Sequence, residues 1–140
     1  MDSIQILFPI FPIVLLTHFH TLTNAMILRE SIKSKELDGR WLKYMPSWQA
    51  IPDNVQSSRE LYKNLHQAPL LFYCYCILAF TIGHVTLFTL ALSWLYTAFR
   101  IIHFIIRSTN PKLSRRAPIF QVAFMASLAL WLELLIHISR

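Results

Sequence analysis

Apolar residues in this chain fall in long blocks, broken by short polar stretches and one long one. The pattern predicts four membrane-spanning helices, at about residues 3–28, 68–82, 85–107 and 117–138. Residues 68–106 are apolar except for TIGH at 81–84. One helix of that length would be far longer than a bilayer needs, at about 20 residues per span. Gly83 and its neighbours therefore mark a turn joining two antiparallel spans. Pro9 and Pro12 are expected to kink the first span, and Pro118 suits the first turn of the fourth. Residues 29–67 are the long polar stretch, broken by Pro46 and Pro52. Trp41, Tyr44, Met45, Trp48 and Ile51 make its middle amphiphilic. The prediction there is a loop lying partly on the membrane surface, anchored by Trp41 and Trp48, with a helical turn or more before the second span.

The fold class expected is all-α: an integral membrane four-helix bundle in one domain of 140 residues. Composition agrees. The chain is 55% hydrophobic and 14% charged, with a mean hydropathy of +0.46. Soluble domains average roughly 45–50% apolar and 25% charged residues. The net charge of +6 does not imply a nucleic-acid partner, because the basic residues flank apolar blocks and form no stripe. Of the 13 Lys and Arg residues, eleven lie in the loops after spans one and three, and only Arg140 lies on the other side. The positive-inside tendency then makes both basic loops cytoplasmic and puts both termini outside.

The remaining basic residue, Arg100, sits inside the third span. Tyr96, Arg100, His103 and Arg107 step by four, three and four, so they share one helical face. A 1.5 Å rise per residue places Arg100 roughly 10 Å from the cytoplasmic edge. Glu133 lies roughly 25 Å from that edge, too far for an ion pair with Arg100. A local cluster of Glu133 with His137 and Arg140 is expected instead. Glu60, Asn64 and Gln67 share a face at the start of span two, and Arg59, Lys63 and His66 share another. With Asn24, Arg115 and Arg116 these polar groups are expected to converge near the inner interface. They could tie helices together and meet headgroups, or form a pocket for an anionic polar ligand. Cys74 and Cys76 point about 200° apart on a helix and cannot bond each other. No metal-site spacing occurs. A haem is disfavoured, since His18 and His103 lie at unlike depths, roughly 16 Å and 6 Å from the inner edge. His20 and Asn24, four apart, suit a helix-packing hydrogen bond.

The segments KNLHQAPLLFY and ALSWLYTAFRIIHFIIRSTN resemble the MAPEG family, the membrane-associated proteins in eicosanoid and glutathione metabolism, in its prokaryotic form. The likeness covers about residues 59–131 and, being to the prokaryotic form, implies a bacterial inner membrane. It implies a homotrimer of four-helix protomers that binds glutathione as co-substrate between subunits near the cytoplasmic face, with a lipophilic small-molecule substrate arriving from the lipid bilayer. By motif position Asn64 matches an Asn of span two, Arg100 an Arg of span three, and His103 a position that is Tyr in the leukotriene-forming branch. Arg115, with Arg116 beside it, falls nearest the Arg that activates the thiol. Three positions depart from the pattern: Gln67 replaces a usual Glu, Glu60 stands where an Arg is usual with Arg59 one place off, and Arg107 replaces a second Tyr.

The chemistry implied is thiolate activation by Arg115 or Arg116, with Asn64, Gln67, Arg100, His103, Arg107 and Arg59 as candidate binding residues. Guanidinium groups suit the carboxylates of glutathione, and a neighbouring cation favours thiolate over thiol. The expected function is a glutathione-dependent transferase or peroxidase. The rival expectation is a non-catalytic scaffold or regulator of the same fold, and a small transporter ranks last because span one carries no membrane carboxylate after Asp2.

Overall fold

The computed structural model describes residues 2–44, 50–109 and 113–139, with side chains from 117 onward in the last range. Met45, Pro46, Trp48, Lys112 and Arg140 lie outside the described residues. Regular structure among the described residues is helical throughout. A 3₁₀ turn, Ser3–Leu7, precedes α1 (Ile10–Lys33), α2 (Trp41–Tyr44), α3 (Asp53–Gln67), α4 (Leu70–Ile82), α5 (Leu87–Thr109) and α6 (Leu113–Ile138). Four stretches are long and apolar enough to cross a membrane: Ser3–Lys33, Asp53–Ile82, Leu87–Thr109 and Ala117–Ile138. These are helices compatible with a four-helix membrane bundle. The chain forms two compact units, one of Met1–Leu16 with Ala68–Arg140, the other of Thr17–Gln67.

In the first unit α5 packs most closely on α6, and the 3₁₀ turn lies against α4 and α5. The core joins Ile6 and Ile13 to Phe72, Tyr75, Cys76 and Ala79 of α4, Tyr96 of α5, and Ala123, Ala126, Leu130 and Leu134 of α6. The α6 positions step by three and four and include two alanines, so the α5 backbone can come close. Between α4 and α5 the bulky stacked rings of Phe72 and Tyr96, 4.2 Å apart, keep the helices separated. The spans joined by the tight turn are therefore not each other's closest neighbours.

Helix α5 is inverted relative to a soluble helix. Thr89, Ser93, Thr97, Arg100 and His103 are buried, while Leu87, Phe88, Trp94, Ile102 and Ile105 are exposed. Its hydroxyls find backbone partners: Ser93 donates to the Thr89 carbonyl at 2.8 Å, and Thr97 donates to the Pro9 carbonyl at 2.8 Å. That carbonyl lies where the 3₁₀ turn gives way to α1, so helical regularity changes at Pro9, while Pro12 falls in the first turn of α1.

The turn at Gly83 is a Schellman cap. Gly83 has φ 75°, its N–H donates to the Phe80 carbonyl at 3.1 Å, and the His84 N–H donates to the Ala79 carbonyl at 3.1 Å. Helix α5 then opens on a reciprocal capping box. The Thr89 N–H donates to Thr86 Oγ1 at 3.1 Å, and the Thr86 N–H donates to Thr89 Oγ1 at 3.0 Å. The break between α3 and α4 falls at Ala68 and Pro69. Proline disfavours helical backbone in the residue before it, which accounts for the site of the break.

In the second unit α3 is a four-turn helix, which gives the helical turn or more expected before span two its full extent. It buries Val55, Ser58, Leu61 and Leu65, spaced three, three and four. Ser58 gathers two residues of α1: its hydroxyl donates to Asn24 Oδ1 at 2.8 Å, and its carbonyl lies 3.0 Å from His20 Nε2. The helix-packing hydrogen bonding expected at His20 and Asn24 runs to this shared partner on α3. Trp41 was expected at the membrane surface. It is instead 2% exposed, packed with Leu37 and Val55, with the Arg59 guanidinium 4.4 Å from its ring centroid. Burying the indole removes more apolar surface from water than leaving it at an interface, and Arg59 covers its remaining face.

Candidate functional site

Helix α5 carries Tyr96, Arg100 and His103 on its buried face, with Arg107 half-buried one turn on. Arg100 is 1% exposed and His103 is 7% exposed. Phe120 of α6 serves both: its ring centroid is 5.8 Å from Arg100 Cζ and 5.7 Å from that of His103. An aromatic face offers a buried cation partial compensation for lost water.

Beside Arg100 lies a cavity of about 340 Å³, lined also by Tyr96, Phe120, Ala123, Ser127 and Trp131. Exposed Leu71, Phe124 and Leu128 form its rim. Two polar tips in the wall are engaged: the Tyr96 hydroxyl donates to the Ala68 carbonyl at 3.3 Å, and Trp131 Nε1 donates to the Leu71 carbonyl at 3.2 Å. The cavity is thus an apolar space with a guanidinium and one serine hydroxyl in its wall. Its greasy rim suits hydrocarbon, and its buried cation suits an anionic group in a low-dielectric setting.

The expected site residues divide between the two units. Arg100, His103 and Arg107 stand on α5 in the first; Arg59, Asn64 and Gln67 stand on α3 in the second. Within that second unit Asn64 is half-buried, Gln67 is exposed, and Arg59 stacks on Trp41. Glu60 pairs with Lys63 at 2.9 Å on the helix surface. Arg115 and Arg116 fall in the first turn of α6, and their side chains lie outside the described residues.

Sequence reasoning missed Phe120, Ser127 and Trp131. Their signal was present: positions 120, 124, 127 and 131 step by four, three and four, marking one face of span four. It missed also the partner of Glu133. Glu133 accepts from His84 Nε2 at 2.6 Å, across from the turn between α4 and α5, and His137 stacks on the His84 ring at 3.5 Å.

The model of the MAPEG family matches residues 6–136, nearly the whole chain and well beyond the motifs of spans two and three. Neither the curated proteins nor the solved structures gave a match. Four long apolar helices and the family match together make this an integral, multi-pass membrane protein. The chain belongs to the MAPEG family.

Proposed function

We propose that this protein is a glutathione-dependent transferase or peroxidase that acts on lipophilic electrophiles from the bilayer. The observation that carries the reading is Arg100, 1% exposed in the wall of an apolar cavity with exposed leucines and a phenylalanine at its rim. A charge is costly to keep inside a membrane protein and is a functional candidate there by default. In this reading Arg100 holds a carboxylate through paired, charge-assisted bonds. Arg115 or Arg116, at the start of α6, lowers the cost of the thiolate.

In transfer, the thiolate sulfur forms a bond to an electrophilic carbon, the leaving group departs with its electron pair, and the thiol proton passes to water. In peroxide reduction, two glutathione thiols are oxidised to the disulfide as the hydroperoxide is reduced to alcohol and water. The apolar cavity holds the organic part beside the thiolate, so that attack becomes effectively unimolecular. The protein works as a homotrimer with its basic loops in the cytoplasm, an arrangement supported by family membership and by the distribution of Lys and Arg.

The test is conjugation of glutathione to a generic aryl halide by protein purified in detergent. Arg115→Ala or Arg116→Ala is expected to lower the rate by about 100-fold, in the range found when one positioned charge-stabilising group is lost. Full activity in both single variants and in the double variant would remove these arginines from the thiolate role.

A second reading, a non-catalytic scaffold of the same fold, has specific support. Gln67 replaces a carboxylate, and Glu60 replaces a cation and is engaged with Lys63. Thermal stability unmoved by millimolar glutathione would favour it.

A further inference from the structure

Away from the Arg100 cavity, the turn between α4 and α5 meets α6 through three titratable side chains. His84 Nε2 lies 2.6 Å from Glu133 Oε1. The rings of His84 and His137 stack at 3.5 Å, 13° from parallel. A second cavity, of about 410 Å³, is lined by these three residues with Phe88, Leu132 and Ile136. His84 is fixed by the Schellman turn through its own backbone N–H, and Glu133 and His137 are one turn apart on α6. The cluster therefore fastens the α4–α5 turn to α6.

We propose that this cluster is a proton-operated latch, closed when the two imidazoles share no more than one positive charge and opened when both are protonated. A single imidazolium is balanced by the Glu133 carboxylate and can stack on a neutral ring. Two imidazolium rings face to face at 3.5 Å repel strongly at the effective dielectric of a protein surface. One carboxylate neutralises only one of them. The second protonation is therefore the step that opens the latch, and it comes as pH falls.

The surroundings offer no second counter-charge among the described residues. Helix α4 contributes buried Tyr75 and Cys76, whose side chains carry no charge at neutral or acid pH by their ordinary chemistry. From α5 come the Thr86 and Thr89 hydroxyls, which are engaged with each other and with the backbone. Helix α6 adds Ser139, whose hydroxyl donates to the Ile136 carbonyl. By the distribution of basic residues this end of the molecule faces away from the cytoplasm, so the latch reads the proton concentration on that side.

Hydrogen exchange of the full chain in nanodiscs, at about pH 8 and about pH 5 and corrected for the intrinsic pH dependence of exchange, reads the latch at the amides of residues 83–90. The expected result is faster exchange in acid by at least about tenfold at those amides, with the amides of residues 96–104 unchanged. His137→Phe keeps a stacked ring but cannot carry the second charge, and should abolish the acid response. An unchanged wild-type segment at pH 5 would overturn the proposal, as would an equal acid response in a folded His137→Phe variant. Should that variant not fold, Glu133→Gln gives the second reading. With the neutralising carboxylate gone, the onset of fast exchange should move to higher pH, and an unmoved onset would count against the latch.

Discussion

At the residue scale, Arg100 is where stability and function part. A buried guanidinium is a weak contributor to stability, since replacing buried charge with apolar volume is often neutral. Arg100→Leu is therefore expected to change unfolding free energy by less than about 2 kcal/mol while lowering kcat/KM by about 100-fold or more. Arg100→Lys should recover only part of the loss, because an ammonium cannot reproduce the paired geometry of a guanidinium. Thermal melts and aryl halide kinetics on the same preparations check both. Ser58 gives the opposite case, a residue with a structural role alone. Its hydroxyl bond to Asn24, at 2.8 Å, should make Ser58→Ala cost about 1 kcal/mol without changing turnover. The Arg100 face was legible in the sequence because helical spacing alone aligns Tyr96, Arg100, His103 and Arg107. The roles of Ser58 and His84 were not. Each depends on the register between elements far apart in sequence, which no local pattern encodes.

At the scale of elements, hydropathy located the four apolar stretches but not the helix ends. Helix α1 continues through Arg29 and Glu30 to Lys33, since a charged surface ends the lipid contact without ending the helix. The first half of helix α3 was hidden for the same reason: the helix is polar overall, and its buried residues recur at helical spacing rather than as an apolar block. The Gly83 turn was legible because a glycine interrupts a long apolar run. Its energetics follow from the backbone. A Cβ at Gly83 would meet nothing within 4 Å, so Gly83→Ala should cost only the left-handed conformation, about 1 kcal/mol. Thr86→Ala removes half the capping box and should cost about 1 kcal/mol. Chemical denaturation of the two variants measures these losses, and both should leave the proposed conjugation rate unchanged.

At the scale of the whole molecule, large apolar side chains remain exposed on all four membrane-crossing stretches, among them Phe11, Leu71, Trp94 and Phe124. A water-soluble monomer would not leave such surfaces bare; lipid or neighbouring copies cover them. The distribution of Lys and Arg fixes an expected orientation that labelling can read. In a background lacking Cys74 and Cys76, cysteines introduced at Ser34 and Ser114 should be labelled from the cytoplasmic side. One introduced at Ser139 should be labelled from the other side. Reversed or mixed accessibility would contradict the assignment. Mass measurement of the solubilised particle should give three copies of the 16.4 kDa chain.

The most direct measurement is the thermal stability of wild-type protein and Arg100→Leu in detergent, with and without millimolar glutathione. A ligand held at 100 times its dissociation constant stabilises the folded state by about 2.7 kcal/mol. The expected result is a clear rise in wild-type melting temperature that is absent from Arg100→Leu. A wild-type melting temperature unmoved by glutathione, or an equal rise in both proteins, would contradict the assignment of Arg100 to the glutathione site.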